Sequence, residues 1–363
     1  MSDTARGHYQ NLYSVADFAQ DSRMSTTLIT PRTTQAAILT EELAPGQVLV
    51  EVKTSGICGA QINEIDGVKG DDHYLPHLLG HEGCATVLAV GPAVTVVTPG
   101  DSVVLHWRKG RGIDAKPAVY RWRGKQLNAG WVTTFNHHAV LSENRMTPVA
   151  HDLDPAVAAL FGCAVTSALG SVTNLAHLRI GESVVVFGVG GVGLNAVQGA
   201  ALMSAHPVVA VDLVDAKLEL AHKVGATHTI NARTADARAE LAKILGKEGA
   251  DVIIECTGAA PVIQLAYEAS GPRGRVVLVG VPRKGNNISI YSLPLHFGKV
   301  LTGSHGGDTD PSADIPRYLR LVAAGKLKLD ELITNRFRFG EINQALDMMR
   351  RGEIAGRCIL SFG

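Results

Sequence analysis

The sequence predicts an α/β chain: a doubly wound parallel sheet covered by helices on both faces, with a second unit formed by the segments on either side of it. Three observations lead there. Residues 183–193 read SVVVFGVGGVG, so the apolar run Val184–Phe187 is followed at once by Gly188, Gly190 and Gly193 in G-x-G-x-x-G order. Between about residues 181 and 303, the runs VVVF, VVAVD, HTIN, DVIIECTG and RVVLVG alternate with amphipathic stretches, the pattern of strands buried on both faces. From about residue 311 the chain turns helical again and closes on the strand RCILSF, so the sheet block sits inside a chain whose two ends form one other domain.

The glycines have separate roles. Gly188 allows a tight turn, Gly190 removes a side chain where a pyrophosphate approaches, and Gly193 lets the following helix pack close to the strand. Free N–H groups at that helix start receive the phosphate charge. About 20 residues on, the apolar run 208–211 ends in Asp212, whose carboxylate accepts from adenosine ribose hydroxyls and repels an added 2′-phosphate. The expected cofactor is NAD, not NADP. Lys217 either reaches the same ribose edge or is a solvated helix lysine, and both remain open.

At 363 residues the chain is long for a single core and suggests two domains. Lys plus Arg equals Asp plus Glu at 34 each, and no basic run is interleaved with aromatics, so a nucleic-acid partner is not expected. Apolar runs are short and broken, which predicts no membrane span, and the lack of an apolar leader core makes the cytoplasm the expected location. Five dispersed cysteines do not resemble a disulfide framework.

Residues 1–30 are polar with scattered aromatics and read as a flexible extension or a small docking piece. Regular structure is expected from near Gln35. The strand QVLVEVKTSGIC runs into Cys58; His81 and Glu82 follow on an irregular stretch, and residues 84–90 form the next strand. After the turn PGD at 99–101, VVLHW carries another strand. Residues 108–130 lose all periodicity and read as a basic, glycine-rich surface excursion. Strand signals return over 133–141, and residues 155–175 read as helical.

Cys58, His81 and Cys163 lie far apart. Two thiolates, one imidazole and an open fourth position suit catalytic zinc, yet a free cysteine serves equally as a small buried hydrophobe, and the residues alone do not connect the three. A resemblance does. SGIC (55–58), LLGHEG (78–83), TTFNHHAVLSEN (133–144), FGCAVTSALG (161–170), VVVFGVGGVGLNAVQGA (184–200), VAVDLVDAKLELAHKVGAT (209–227), VVLVGVP (276–282) and GRCIL (356–360) occur in this order. Together they resemble the medium-chain dehydrogenase/reductase family, specifically its zinc-dependent alcohol dehydrogenase branch, from about residue 35 to the C-terminus.

The resemblance implies a GroES-like β-rich catalytic domain (31–164 and 308–363), a Rossmann NAD-binding domain (165–307) and an active site in the cleft between them. It implies Cys58, His81 and Cys163 as ligands of a catalytic zinc, with Glu82 as a neighbouring acid that tunes the metal. Gly188, Gly190, Gly191, Val192 and Gly193 form the implied NAD site with Asp212, Lys217, Thr257, Val279, Val281 and Arg357. Trp107 lines the implied substrate pocket, to which Trp131, His106 and Tyr120 are further candidates. A homodimer is implied, or a tetramer, with a strand near 288–291 pairing across a two-fold axis.

Two departures stand out. Many relatives carry four cysteines after the HW position for a structural zinc; residues 108–130 have none, so one zinc per chain is expected. Alcohol-oxidising relatives usually place Ser or Thr two residues after the first zinc cysteine as a proton relay, whereas this chain has Ala60, with Asn63 at the usual histidine's place and Gln61 at a common Asp. A methyl group cannot relay a proton. His106 and Ser167 are the substitute candidates. The expected reaction is interconversion of an alcohol and an aldehyde or ketone by hydride transfer. The alternative is an enzyme that retains NAD and uses transient oxidation for a net non-redox elimination or epimerisation of a polyol or sugar-like molecule.

Overall fold

Six parallel strands make the sheet that carries the glycine fingerprint, in a computed structural model that describes residues 13–17, 32–38, 42–122 and 125–362. Their spatial order is His228–Asn231, Val208–Asp212, Val184–Phe187, Ala250–Glu255, Ser270–Leu278 and Val300–Gly303. The apolar runs are continuous because each strand feeds two cores. Val184, Val186, Ala210 and Ile254 pack on one face, and Val185, Phe187, Val209 and Ile253 on the other. The order reverses between Val184–Phe187 and Ala250–Glu255, and the crevice beyond such a reversal is where ligands bind in open α/β sheets.

A second sheet of seven strands joins the two ends of the chain. Its order is Ile333–Arg338, Arg357–Ser361, Gln47–Ile57, Glu82–Val90, Ser102–His106 and Met146–Val149, with His138–Ser142 also pairing with Gln47–Ile57. Alternation sets its packing: Val48, Val50 and Val52 enter one core while Leu49 enters another.

Three expectations change here. Part of the supposed flexible extension, Tyr13–Asp17, is a strand paired antiparallel with Arg32–Ile38; the rest of residues 1–30 lies outside the described residues. The supposed surface excursion contains the hairpin Val119–Trp122 and Lys125–Asn128, which pairs with Arg32–Ile38. It is also pinned from within, because the buried Glu143 carboxylate accepts the Ile113 N–H at 2.7 Å and the Thr95 N–H at 2.9 Å. The helical stretch 155–175 is broken into Pro155–Leu160 and Ala164–Gly170, followed by the wider turn Ser171–Leu175. Gly162 lies in the break, where a Cβ would overlap the Leu105 carbonyl oxygen and Glu82, and the break frees Cys163 from helical geometry. Residues 288–291, where pairing with a second copy is expected, join no ladder within the chain, and Val300–Gly303 is one of the two edge strands of the parallel sheet. No described helix is long and apolar enough to cross a membrane.

Candidate active site

Both cysteines sit at the starts of short helices. Cys58 precedes Gly59–Ile65 and Cys163 precedes Ala164–Gly170, each as the N-cap residue with non-helical backbone angles. His81 immediately precedes the strand Glu82–Val90. One ligand atom from each of Cys58, His81 and Cys163 lies within 4.8 Å of the other two. Zinc held at about 2.3 Å from sulfur and 2.0 Å from nitrogen needs its ligand atoms roughly 3.5–4 Å apart, a spacing compatible with this trio.

A hydrogen bond from the Cys163 thiol, helped by His81 and Arg357, holds Cys58 well below the usual thiol range against the pull of desolvation. Sharing that same proton, and then burial, pushes Cys163 up. Ligation of a metal would need both sulfurs deprotonated, so binding there would release protons. Gln61 ties two of the three together. Its side-chain oxygen accepts the Cys58 backbone N–H at 3.2 Å, and its amide nitrogen meets His81 Nδ1. Glu82, fully buried behind His81, is paired with Arg357. Desolvation pushes its carboxyl up, and the guanidinium opposes this.

A cavity of about 410 Å³ lies at the reversal of strand order. It is lined by Gly188, Gly190, Gly191, Val192, Gly193, Asp212, Lys217, Thr257, Val279, Val281 and Arg357, and also by Cys58, Ala60 and Asn63. Asp212 closes the fingerprint turn: its Oδ2 accepts the Val189 N–H at 2.9 Å, and its Oδ1 accepts the Leu213 N–H at 2.7 Å. Glu255, which the sequence reading passed over, does the same for the neighbouring loop. Its buried carboxylate accepts the Thr257 N–H at 2.6 Å and the Gly258 N–H at 3.1 Å. The available signal was its place as an acid closing an apolar strand, like Asp212.

A second cavity, about 720 Å³, is lined by His81 with Gln61, Trp107 and Trp131. Neither expected relay residue reaches it or the first cavity. His106 is buried with both ring nitrogens engaged, Nδ1 with the Arg108 carbonyl at 2.8 Å and Nε2 with Thr147 Oγ1 at 2.9 Å. Burial pushes its pKa down to about 4. It is a core histidine, and the expectation that it relays protons is corrected. Ser167 is buried one helical turn beyond Cys163. Tyr120 is likewise a core residue, its hydroxyl accepting the Val140 N–H at 3.0 Å.

Residues 44–151 match the alcohol dehydrogenase GroES-like domain family, and residues 191–324 the zinc-binding dehydrogenase family. Over 342 residues the chain is 32% identical to the class-3 alcohol dehydrogenase of Cereibacter sphaeroides, covering 85% of this chain and 91% of that one. This chain belongs to the zinc-dependent alcohol dehydrogenase branch of the medium-chain dehydrogenase/reductase family. The putative alcohol dehydrogenase D of Mycobacterium tuberculosis is 34% identical over 338 residues, again covering 85% of this chain and 91% of the relative. Among solved structures, this dehydrogenase is similar to the benzyl alcohol dehydrogenase of Acinetobacter calcoaceticus, with a TM-score of 0.84 and 27% identity over 97% of this chain and 99% of that one. An alcohol dehydrogenase zinc-binding domain protein from Burkholderia ambifaria gives a TM-score of 0.85 and 28% identity over the same shares, 97% and 99%. This dehydrogenase is an NAD-linked oxidoreductase.

Proposed function

We propose that this dehydrogenase interconverts an alcohol and an aldehyde or ketone, with Cys58, His81 and Cys163 holding one zinc ion and the cavity around Gly188–Gly193 and Asp212 holding NAD. One observation carries the reading: the trio stands between two cavities, with Cys58 on the wall of the fingerprint cavity and His81 on the wall of the other. Zinc would supply Lewis acidity toward a substrate oxygen, and NAD the hydride acceptor. The chain's own contributions are positional. N–H groups after Gly190 receive the pyrophosphate, and Asp212 accepts from the ribose. Val279 and Val281 flank the nicotinamide end, while Trp107 and Trp131 keep the substrate side partly dry.

Ala60 faces the fingerprint cavity without a hydroxyl. With His106 engaged elsewhere, the substrate proton leaves through water in the larger cavity. We read residues 31–164 with 308–363 as the catalytic unit and 165–307 as the cofactor unit. A dimer is supported by exposed apolar side chains beside the open sheet edge, among them Tyr291 and Phe297, each 71% exposed.

The test is a panel of alcohols with NAD, followed at the absorbance of NADH, alongside metal analysis. The reading predicts one zinc per chain and NADH formed in step with carbonyl product. No NADH with any alcohol, from protein carrying its zinc, ends it. Product formed without accumulating NADH replaces it with the NAD-retaining, net non-redox reaction that the missing hydroxyl at position 60 allows.

A further inference from the structure

Gln61 is the third residue of the helix Gly59–Ile65 and is buried, at 1% exposure. Its side-chain oxygen accepts the backbone N–H of Cys58, the residue that caps this helix, at 3.2 Å. A Gln or Glu at the third helical position reaches back in this way to satisfy the backbone donor of the cap. The other end of the same amide meets His81 Nδ1. An NH2 group only donates, so Nδ1 accepts, and Nε2 is the ring nitrogen left for a metal. Charge close to the trio is otherwise balanced, because the buried Glu82 carboxylate is paired with Arg357. Two thiolates and a divalent ion then sum to zero.

The two ends of an amide are chemically unlike. A histidine that gives Nε2 to a metal carries its proton on Nδ1 and donates it to an oxygen. Gln61 can offer an oxygen there only by turning its amide over, and an NH2 group then faces the Cys58 N–H. Whichever way the amide points, it accepts from the helix cap or from a metal-bound ring, not from both. A carboxylate in its place would accept from both at once and would add a negative charge beside the ion.

We propose that Gln61 is a positioning residue that keeps the metal site exchangeable: it holds Cys58 and His81 together, yet as an amide it serves the helix cap and a metal-bound His81 ring in turn. The proposal rests on the metal reading above and deepens it. Two effects of opposite sign act through one side chain. Holding two ligands in place strengthens binding, and losing such a partner costs about 10- to 100-fold in metal affinity. Having one acceptor for two donors, and no charge, weakens binding relative to an acid of the same length.

The experiment measures zinc affinity of the full chain by competition with a chelator, in wild type, Gln61→Glu and Gln61→Met. The first variant keeps the length and adds charge, and the second keeps the approximate shape and makes neither bond. Cobalt(II) in place of zinc reports the ligand set through its visible absorption, and urea unfolding reports the fold. Gln61→Glu should bind zinc about 10-fold or more tightly than wild type with the cobalt spectrum unchanged, and Gln61→Met about 10- to 100-fold more weakly. Equal affinity in wild type and Gln61→Glu overturns the proposal. So does a cobalt spectrum showing that the new carboxylate has itself become a ligand, or wild-type affinity in Gln61→Met. Should Gln61→Met not fold, Gln61→Glu decides alone. A wild type that takes up no zinc ends the metal reading as well, whereas silent variants of a zinc-binding wild type end this proposal only.

Discussion

Arg357 and Glu82 form an ion pair that water does not reach: Glu82 is 0% and Arg357 4% exposed. The same guanidinium packs against Gly191, where a Cβ would overlap it, and lines the cavity of the fingerprint turn. A single residue of the last strand thus links the acid behind His81 to the fingerprint turn.

Removing one partner should be costly. Arg357→Leu leaves Glu82 as a buried charge without compensation and should destabilise the fold by about 3–5 kcal/mol. Adding Glu82→Gln in the same chain should recover part of that loss. Urea unfolding of the two single variants and the double variant measures this, and strictly additive losses would count against the pairing.

Cys163→Ala should reduce bound zinc from about one per chain to near none and lower activity by about a thousandfold or more, because two ligands hold zinc far less firmly than three. Metal analysis gives the first quantity and NADH formation the second. Retained zinc with retained activity would show that the trio is not the metal site.

Asp212→Ala should weaken the use of NAD by roughly 10- to 100-fold, about 1.4–2.8 kcal/mol, and raise the NADP-to-NAD ratio of kcat/KM. In the proposed ribose site no carboxylate then opposes a 2′-phosphate, and the Val189 N–H loses its acceptor. Steady-state kinetics with both cofactors checks it; an unchanged ratio would remove Asp212 from the ribose site.

His106 should make the fold acid-sensitive. Its pKa is pushed down from 6.5 to about 4 by burial, so between those values the unfolded chain binds more protons than the native one and stability rises with pH. The contribution is complete above pH 6.5 and is lost as pH falls through about 4, at most about 3 kcal/mol in all. His106→Gln cannot titrate there. The stability gap between wild type and variant should narrow toward pH 4 in urea unfolding, while the pH profile of turnover stays the same. A shifted turnover profile would restore a proton-relay role.

Gly193→Ala should cost about 1–3 kcal/mol and weaken NAD binding together, since a Cβ there overlaps the Gly188 carbonyl oxygen and forces the helix Gly191–Leu202 away from the turn. Thermal unfolding with and without NAD separates the two effects.

Much of this was legible in the sequence. Strands packed on both faces must be apolar along their whole length, so Val184–Phe187 and Val208–Asp212 announce a covered parallel sheet. The turn after Gly188 and the acid at 212 are local patterns, set by backbone sterics and charge over a few residues. Cys58, His81 and Cys163 were joined only through resemblance, because ligands from three distant segments leave no periodic trace. Tertiary structure alone decided the rest. VVLHW does not say which face of its strand is covered, so His106 and Trp107 looked equally suited to the pocket until packing enclosed one and left the other on a cavity wall. Tyr120 was misplaced because a hairpin with no apolar alternation gives no hint of the sheet it completes.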